Sequence, residues 1–159
     1  MVDTLWQVRA FVYQQFADTT YPPGVDEAAH RFDIEFEEAV ELYKELHNHH
    51  AFFLEPETLT IRMANPFSGI PTDFKVQANG KTYFANCAWD MLGIPAALHS
   101  DAVIEAVFTE SNESVHLEIR NGNIYALSAV PAAEDGSFSN LLVHFPLPFA
   151  RWYDDLVFT

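Results

Sequence analysis

Near residue 65 the apolar pattern of this chain changes period, from helical spacing upstream to short alternating runs punctuated by Asn-Gly pairs downstream. A helix buries a stripe that returns every three to four residues, whereas a strand buries alternate residues. One change of period therefore divides the sequence into a helical part and a sheet part. The expectation is an α+β chain, with a helical lobe over residues 1–65 and a mostly antiparallel sheet lobe over residues 66–159. At 159 residues these form one domain or two small lobes sharing a core. A chain of this length buries roughly 70% of its unfolded surface, so it requires no disulfide or structural metal.

In the first part Leu5, Val8, Val12 and Phe16 follow helical spacing, and Tyr21-Pro22-Pro23-Gly24 stops the run. This predicts a helix over residues 4 to 18. A short second helix is expected over 25 to 31, and a third, capped by Asp33, carries Phe36, Val40, Tyr43 and Leu46 on one side. Ala51 to Leu54 and Leu59 to Met63, joined by Glu55-Pro56-Glu57-Thr58, read as a hairpin. Three helices and a hairpin suggest a winged-helix-like lobe.

Beyond a loop from Pro66 to Pro71, Phe74 to Val76 and Lys81 to Ala85 flank Asn79-Gly80, and Val115 to Arg120 and Asn123 to Leu127 flank Asn121-Gly122. Asn-Gly favours the tight hairpin turn because both residues tolerate positive φ. Further strands are expected at 102 to 109 and 141 to 145, with a short helix near Cys87 interrupting the sheet.

Charge narrows the list of partners. With 23 acidic and 8 basic side chains, the net charge is -15. Such a chain repels phosphate backbones, and the third helix sets Glu35, Glu37, Glu38, Glu41 and Glu45 against Lys44. A nucleic-acid partner is not expected, and the helical lobe reads as structural. No apolar run reaches the roughly 18 to 20 residues of a membrane helix. The beginning, Met1-Val2-Asp3-Thr4, lacks a signal-peptide pattern. One cysteine, Cys87, suits a reducing compartment. No membrane contact and a cytoplasmic location are the expectations, and a homodimer is left open.

The candidate chemistry lies in Tyr83 to Pro95, where an apolar strand gives way to a short helix that Gly93 and Pro95 should end. Asn86 is the expected N-cap, which would set Cys87 in the first turn. There, free amides and the helix dipole favour thiolate over thiol. Asp90, three residues on, shares a helix face with Cys87 and is placed to exchange a proton with whatever the sulfur binds. The plain alternative is a small buried cysteine beside a dipole-compensating aspartate.

The longer string Asn86-Cys87-Ala88-Trp89-Asp90-Met91-Leu92-Gly93-Ile94-Pro95-Ala96-Ala97-Leu98 resembles the active-site segment of the organomercurial (alkylmercury) lyases. A looser likeness extends over Pro66-Phe67-Ser68, Pro71-Thr72 and the closing stretch from His144 to Thr159. The resemblance implies a winged-helix-like part followed by a sheet-containing catalytic part, with Cys87 and Asp90 in the catalytic set. It also implies a small organometallic substrate, with mercury held by Cys87 and Asp90 as substrate or product. Mercury(II) is soft, prefers two ligands and favours thiolate. In the implied reaction Cys87 captures R-Hg-X, a second thiolate joins the metal, and Asp90 protonates the departing carbon. The family's second cysteine would, in this register, directly follow Thr159. The expectation is therefore a shortened chain or a relative lacking that thiol, with a small cytosolic thiol as co-reactant and no bound cofactor. A non-catalytic relative that binds a soft metal through Cys87, or serves a structural role, is the rival reading.

Trp89, Phe67 and His99 are candidate walls of a substrate pocket, alongside Phe84 and Ile94, although aromatic residues at such positions are commonly core. His47, His49 and His50 cluster at the end of the third helix, but a metal reading needs nitrogens converging at about 2.0 to 2.1 Å. A solvated helix end explains them as well. His144 reads as a wall residue of a strand, and Asp154-Asp155 as solvated acids. No phosphate loop, serine-nucleophile elbow or zinc-peptidase string occurs.

Overall fold

Apolar spacing organises the first three helices of the computed structural model, which describes residues 2–107, 112–128, 143, 147–148 and 151, with backbone alone at residues 2, 3 and 126–128. Helix α1 (Val2–Thr19) buries Leu5, Val8, Val12 and Phe16. It ends where Thr20 adopts φ 70°, ahead of the two prolines. Helix α2 (Val25–Phe32) begins with the Gly24 amide donating to Glu27 Oε2 at 2.8 Å.

Asp33 departs from its expected role. It closes α2 in the left-handed region at φ 53°, its amide and that of Ile34 both reaching Ala29 O. Aspartate tolerates that conformation, and the two bonds satisfy one of the carbonyls left open at the helix end. Glu35 therefore caps α3 (Phe36–Asn48), whose buried stripe is Ala39, Leu42, Tyr43 and Leu46. Phe36, expected on that side, is half exposed in the first turn. Tyr43 donates through its hydroxyl towards Pro23 O and Gly24 O, tying α3 to the start of α2.

The expected hairpin forms as β1 (Phe53–Leu54) and β2 (Ile61–Ala64), and gains a strand, β3 (Phe67–Ser68), from the segment expected to be loop. These three make a small antiparallel sheet in chain order. The second sheet is built from β4 (Phe74–Ala78), β5 (Lys81–Phe84), β6 (Ala102–Val107), β7 (Ser114–Arg120) and β8 (Asn123–Ser128). Its order is β5-β4-β6-β7-β8, antiparallel throughout. Both Asn-Gly pairs turn with positive φ at each residue, as expected. The expected strand over 141–145, with His144, lies outside the described residues apart from Val143, as do Asp154 and Asp155.

Helix α4 (Ala88–Leu98) packs on β4 and β6 and corrects two expectations. Gly93 and Pro95 do not end it: the helix runs through both and closes at His99, φ 48°. An internal proline forfeits one helix bond, at roughly 3 kcal/mol in an exposed helix. Here Met91, Ile94 and Pro95 are all buried, and that packing offsets the loss. Gly93 leaves room for a neighbouring ring, since a Cβ there would stand 3.0 Å from Pro66 Cβ.

One apolar cluster runs through both sheets and all the helices. Its joint is Phe67, which stacks on Phe16 of α1 at 5.4 Å between ring centres and lies 5.7 Å from the Tyr83 ring of β5. The Tyr83 hydroxyl donates to Ala17 O at 2.7 Å, fastening the end of α1 to the strand that leads into the site.

Candidate active site

Strand β5 delivers the chain to the site. One residue beyond it, the Ala85 amide still donates to Phe74 O at 2.9 Å, and Ala85 also bridges Phe67. The chain then leaves the sheet. Cys87, in extended conformation at φ -150°, is the N-cap of α4, and its carbonyl accepts from the Met91 amide at 3.1 Å. The expected cap, Asn86, stands one residue earlier, so Cys87 is at the mouth of the helix rather than inside its first turn.

From that position the Cys87 thiol donates to Asp90 Oδ2 at 3.5 Å. The i, i+3 spacing places the two side chains together, as the sequence implies. Cys87 is half-buried, and Asp90 is only 8% exposed. Desolvation disfavours the charged form of each group. It raises Asp90 to about 6, against a smaller downward pull from the bond to Cys87. Burial, followed by the nearby Asp90 charge, pushes the Cys87 thiol up to about 11. Hydrogen bonds from the backbone amides of Asp90 and Trp89 favour the anion, by less. The expected resting thiolate is thus corrected to a thiol hydrogen-bonded to a weakly acidic carboxyl. The pair can pass a proton from sulfur to oxygen once a soft metal takes the sulfur's lone pair.

The remaining candidates are dispersed. Trp89 is 54% exposed at the start of α4. Phe67 is buried between Phe16 and Tyr83, in the core rather than on a pocket wall. His99 caps the opposite end of α4, roughly 18 Å along the helix axis from Cys87 at 1.5 Å per residue. His47 Nδ1 accepts from the Leu54 amide at 3.3 Å, and the rings of His47 and His50 both pack on Phe53. Among the described residues no three His, Cys, Asp or Glu side chains converge as a metal site. A concavity of about 400 Å³ lined by Asn79, Lys81, Asp101 and Glu118 lies at the turn end of β4 and β5, away from Cys87.

Sequence reasoning missed two features. Dryness at Asp90 had no local signal, because its depth depends on how α4 lies against the sheet. The hydroxyl of Thr72, which donates to Ala85 O at 2.5 Å, had only the looser likeness at Pro71-Thr72 to mark it.

No helix among the described residues is long and apolar enough to cross a membrane. A family model described as MerB, alkylmercury lyase, matches residues 67–140. Among solved structures, the crystal structure of the mercury-bound form of MerB2 is similar, with a TM-score of 0.62 and 21% sequence identity. The likeness covers 79% of this chain and 60% of that one, and at this identity it shows the fold. No curated protein sequence matches. Residues 67–140, which include Cys87 and Asp90, are thus similar to the alkylmercury lyase family model, and the α+β fold is similar to that of MerB2, of which the chain spans 60%.

Proposed function

We propose that this chain captures an organomercurial on Cys87 and cleaves its carbon-mercury bond by protonation from Asp90. The observation that carries the reading is the 3.5 Å contact between the thiol and a carboxyl raised to about 6. Near neutral pH most Asp90 carboxyls are ionised and accept the thiol proton. As R-Hg-X approaches, sulfur bonds to mercury, X leaves with its electron pair, and the proton moves to Asp90. The acid is formed by the capture step itself.

A second thiolate then binds mercury and raises electron density on the carbon. The sequence holds one cysteine, so in this proposal a small thiol supplies the second sulfur from solution. Asp90 returns the proton to carbon as the carbon-mercury bond breaks, giving R-H and a mercury(II) bis-thiolate. A carbanion leaving unprotonated would be far higher in energy, and a positioned acid contributes about 10² to 10⁴ in rate. Exposed Trp89 flanks the organic group, whereas His99 takes no part. The helical residues before 65 act as a winged-helix-like support for the sheet residues after it, in a reducing cytoplasm and without nucleic acid.

Methane or benzene release from methyl- or phenylmercury, with excess small thiol, tests this. Release should vanish in Cys87→Ser and fall at least about 10²-fold in Asp90→Asn. Wild-type release from the Cys87 variant would refute the mechanism. The single cysteine also supports a rival in which Cys87 binds a soft metal without cleavage. Stoichiometric mercurial uptake by wild type with no hydrocarbon formed would establish that rival.

A further inference from the structure

Beside the candidate site, a side chain takes the place of one backbone bond in the last rung between β4 and the chain beyond β5. The register Lys75↔Phe84 continues to Phe74 opposite Ala85. In an antiparallel ladder these two would exchange a pair of backbone bonds. One is present, from the Ala85 amide to Phe74 O at 2.9 Å. In place of the other, the Phe74 amide donates to Thr72 Oγ1 at 3.3 Å, and the Thr72 hydroxyl donates to Ala85 O at 2.5 Å. Phe74 O is a poorer acceptor for that single proton, at 3.4 Å.

The hydroxyl therefore acts as a spacer in the second half of this last rung, linking Phe74 N to Ala85 O so that each backbone group of the rung has a partner. Ala85 is two residues from Cys87, and its far side is held by the bridge to Phe67. Pro66, at the other end of the same loop, lies against Gly93 of α4. The segment from Pro66 to Thr72 thus touches both the chain leading to Cys87, at Ala85, and the middle of the helix that follows it, at Gly93.

We propose that Thr72 is a positioning residue: its hydroxyl, inserted between Phe74 N and Ala85 O, sets the path of Ala85-Asn86-Cys87 and thereby the approach of the sulfur to Asp90. Without the spacer the last rung can close directly, drawing the Ala85 carbonyl towards β4 and shifting the chain that carries Cys87. Misplacement on the order of 1 Å at a reacting pair can cost about 10²-fold in rate. This inference rests on Cys87 and Asp90 being the reacting pair, and it concerns a residue that touches neither substrate nor metal.

The test compares Thr72→Val, which keeps the shape and removes the hydroxyl, with Thr72→Ser, which keeps the hydroxyl. In benzene release from phenylmercury, Thr72→Val should lower kcat about tenfold or more with KM within about threefold, and Thr72→Ser should recover most of the loss. Wild-type kcat in Thr72→Val, or a Thr72→Ser as impaired as Thr72→Val, would overturn the proposal. Two further readouts do not require cleavage: hydrogen exchange at the Phe74 amide and alkylation of Cys87 by iodoacetamide. Phe74 should be protected in wild type and Thr72→Ser, and Cys87 alkylation should change severalfold only in Thr72→Val. A Phe74 amide that exchanges freely in the folded wild type, or alkylation unchanged in Thr72→Val, also overturns it. Absence of benzene release from wild type would sink the lyase reading alone, leaving these readouts to decide the role of Thr72.

Discussion

At Cys87 two effects of opposite sign meet, and their sizes settle which prevails. A helix N-terminus is worth about 0.3 to 1 kcal/mol to an anion, less than one pKa unit at 1.36 kcal/mol each. Burial and the adjacent Asp90 charge outweigh it, so the sulfur rests as a thiol. The same dryness raises Asp90 to about 6, and its consequence for stability has a definite sign. The folded state holds the Asp90 proton more tightly than the unfolded state does. Its stabilising contribution is complete below about pH 4 and is lost as pH rises through about 6. Asp90→Asn, which removes the buried charge, should therefore stabilise the protein by about 1 to 3 kcal/mol at pH 7.5, with the gain disappearing at pH 4. Urea unfolding of both proteins at the two pH values measures this, and a gain that grows on acidification would contradict it. The spacing of Cys87 and Asp90 was legible in the sequence because it is local. Their acidities were not, because they depend on how deeply α4 is set against the sheet.

Among the elements, α4 departs most from expectation. Gly93 and Pro95 are strong stop signals in an isolated peptide, yet each is used in packing here: Gly93 admits Pro66, and Pro95 is buried. Gly93→Val should push the Pro66 loop away and cost about 1 to 3 kcal/mol, read as a lowered urea midpoint. It should also slow hydrocarbon release, because the displaced loop carries Thr72. An unchanged midpoint would show that the loop yields freely. The hairpins were the most legible elements, since Asn79-Gly80 and Asn121-Gly122 specify their own turns through backbone preference. Strand β3 was hidden. Phe67-Ser68 is too short to show a period, and it exists because β2 offers it an edge.

Across the whole molecule, helical and sheet residues share one apolar cluster, with Phe67 touching both Phe16 and Tyr83. Phe67→Ala should cost about 3 to 5 kcal/mol, and the helical and sheet signals should still be lost together in one transition. Far-ultraviolet dichroism monitored beside hydrogen exchange in β4 and α1 would reveal two separate transitions if the halves were independent. The change of period near residue 65 was plain in the sequence, but the ring that joins the two halves lay in a stretch read as loop.

Because Cys87 and Asp90 occupy a single turn, the pair is a portable cassette in its covalent arrangement alone. Transplanted to the exposed start of another helix, the same four residues would keep their i, i+3 spacing but lose the approach that Thr72 is proposed to set, and would regain ordinary acidities, since water would reclaim the carboxylate. What the surrounding protein adds is a microclimate, and an engineer wishing to borrow this chemistry would have to move the shelter along with the two side chains.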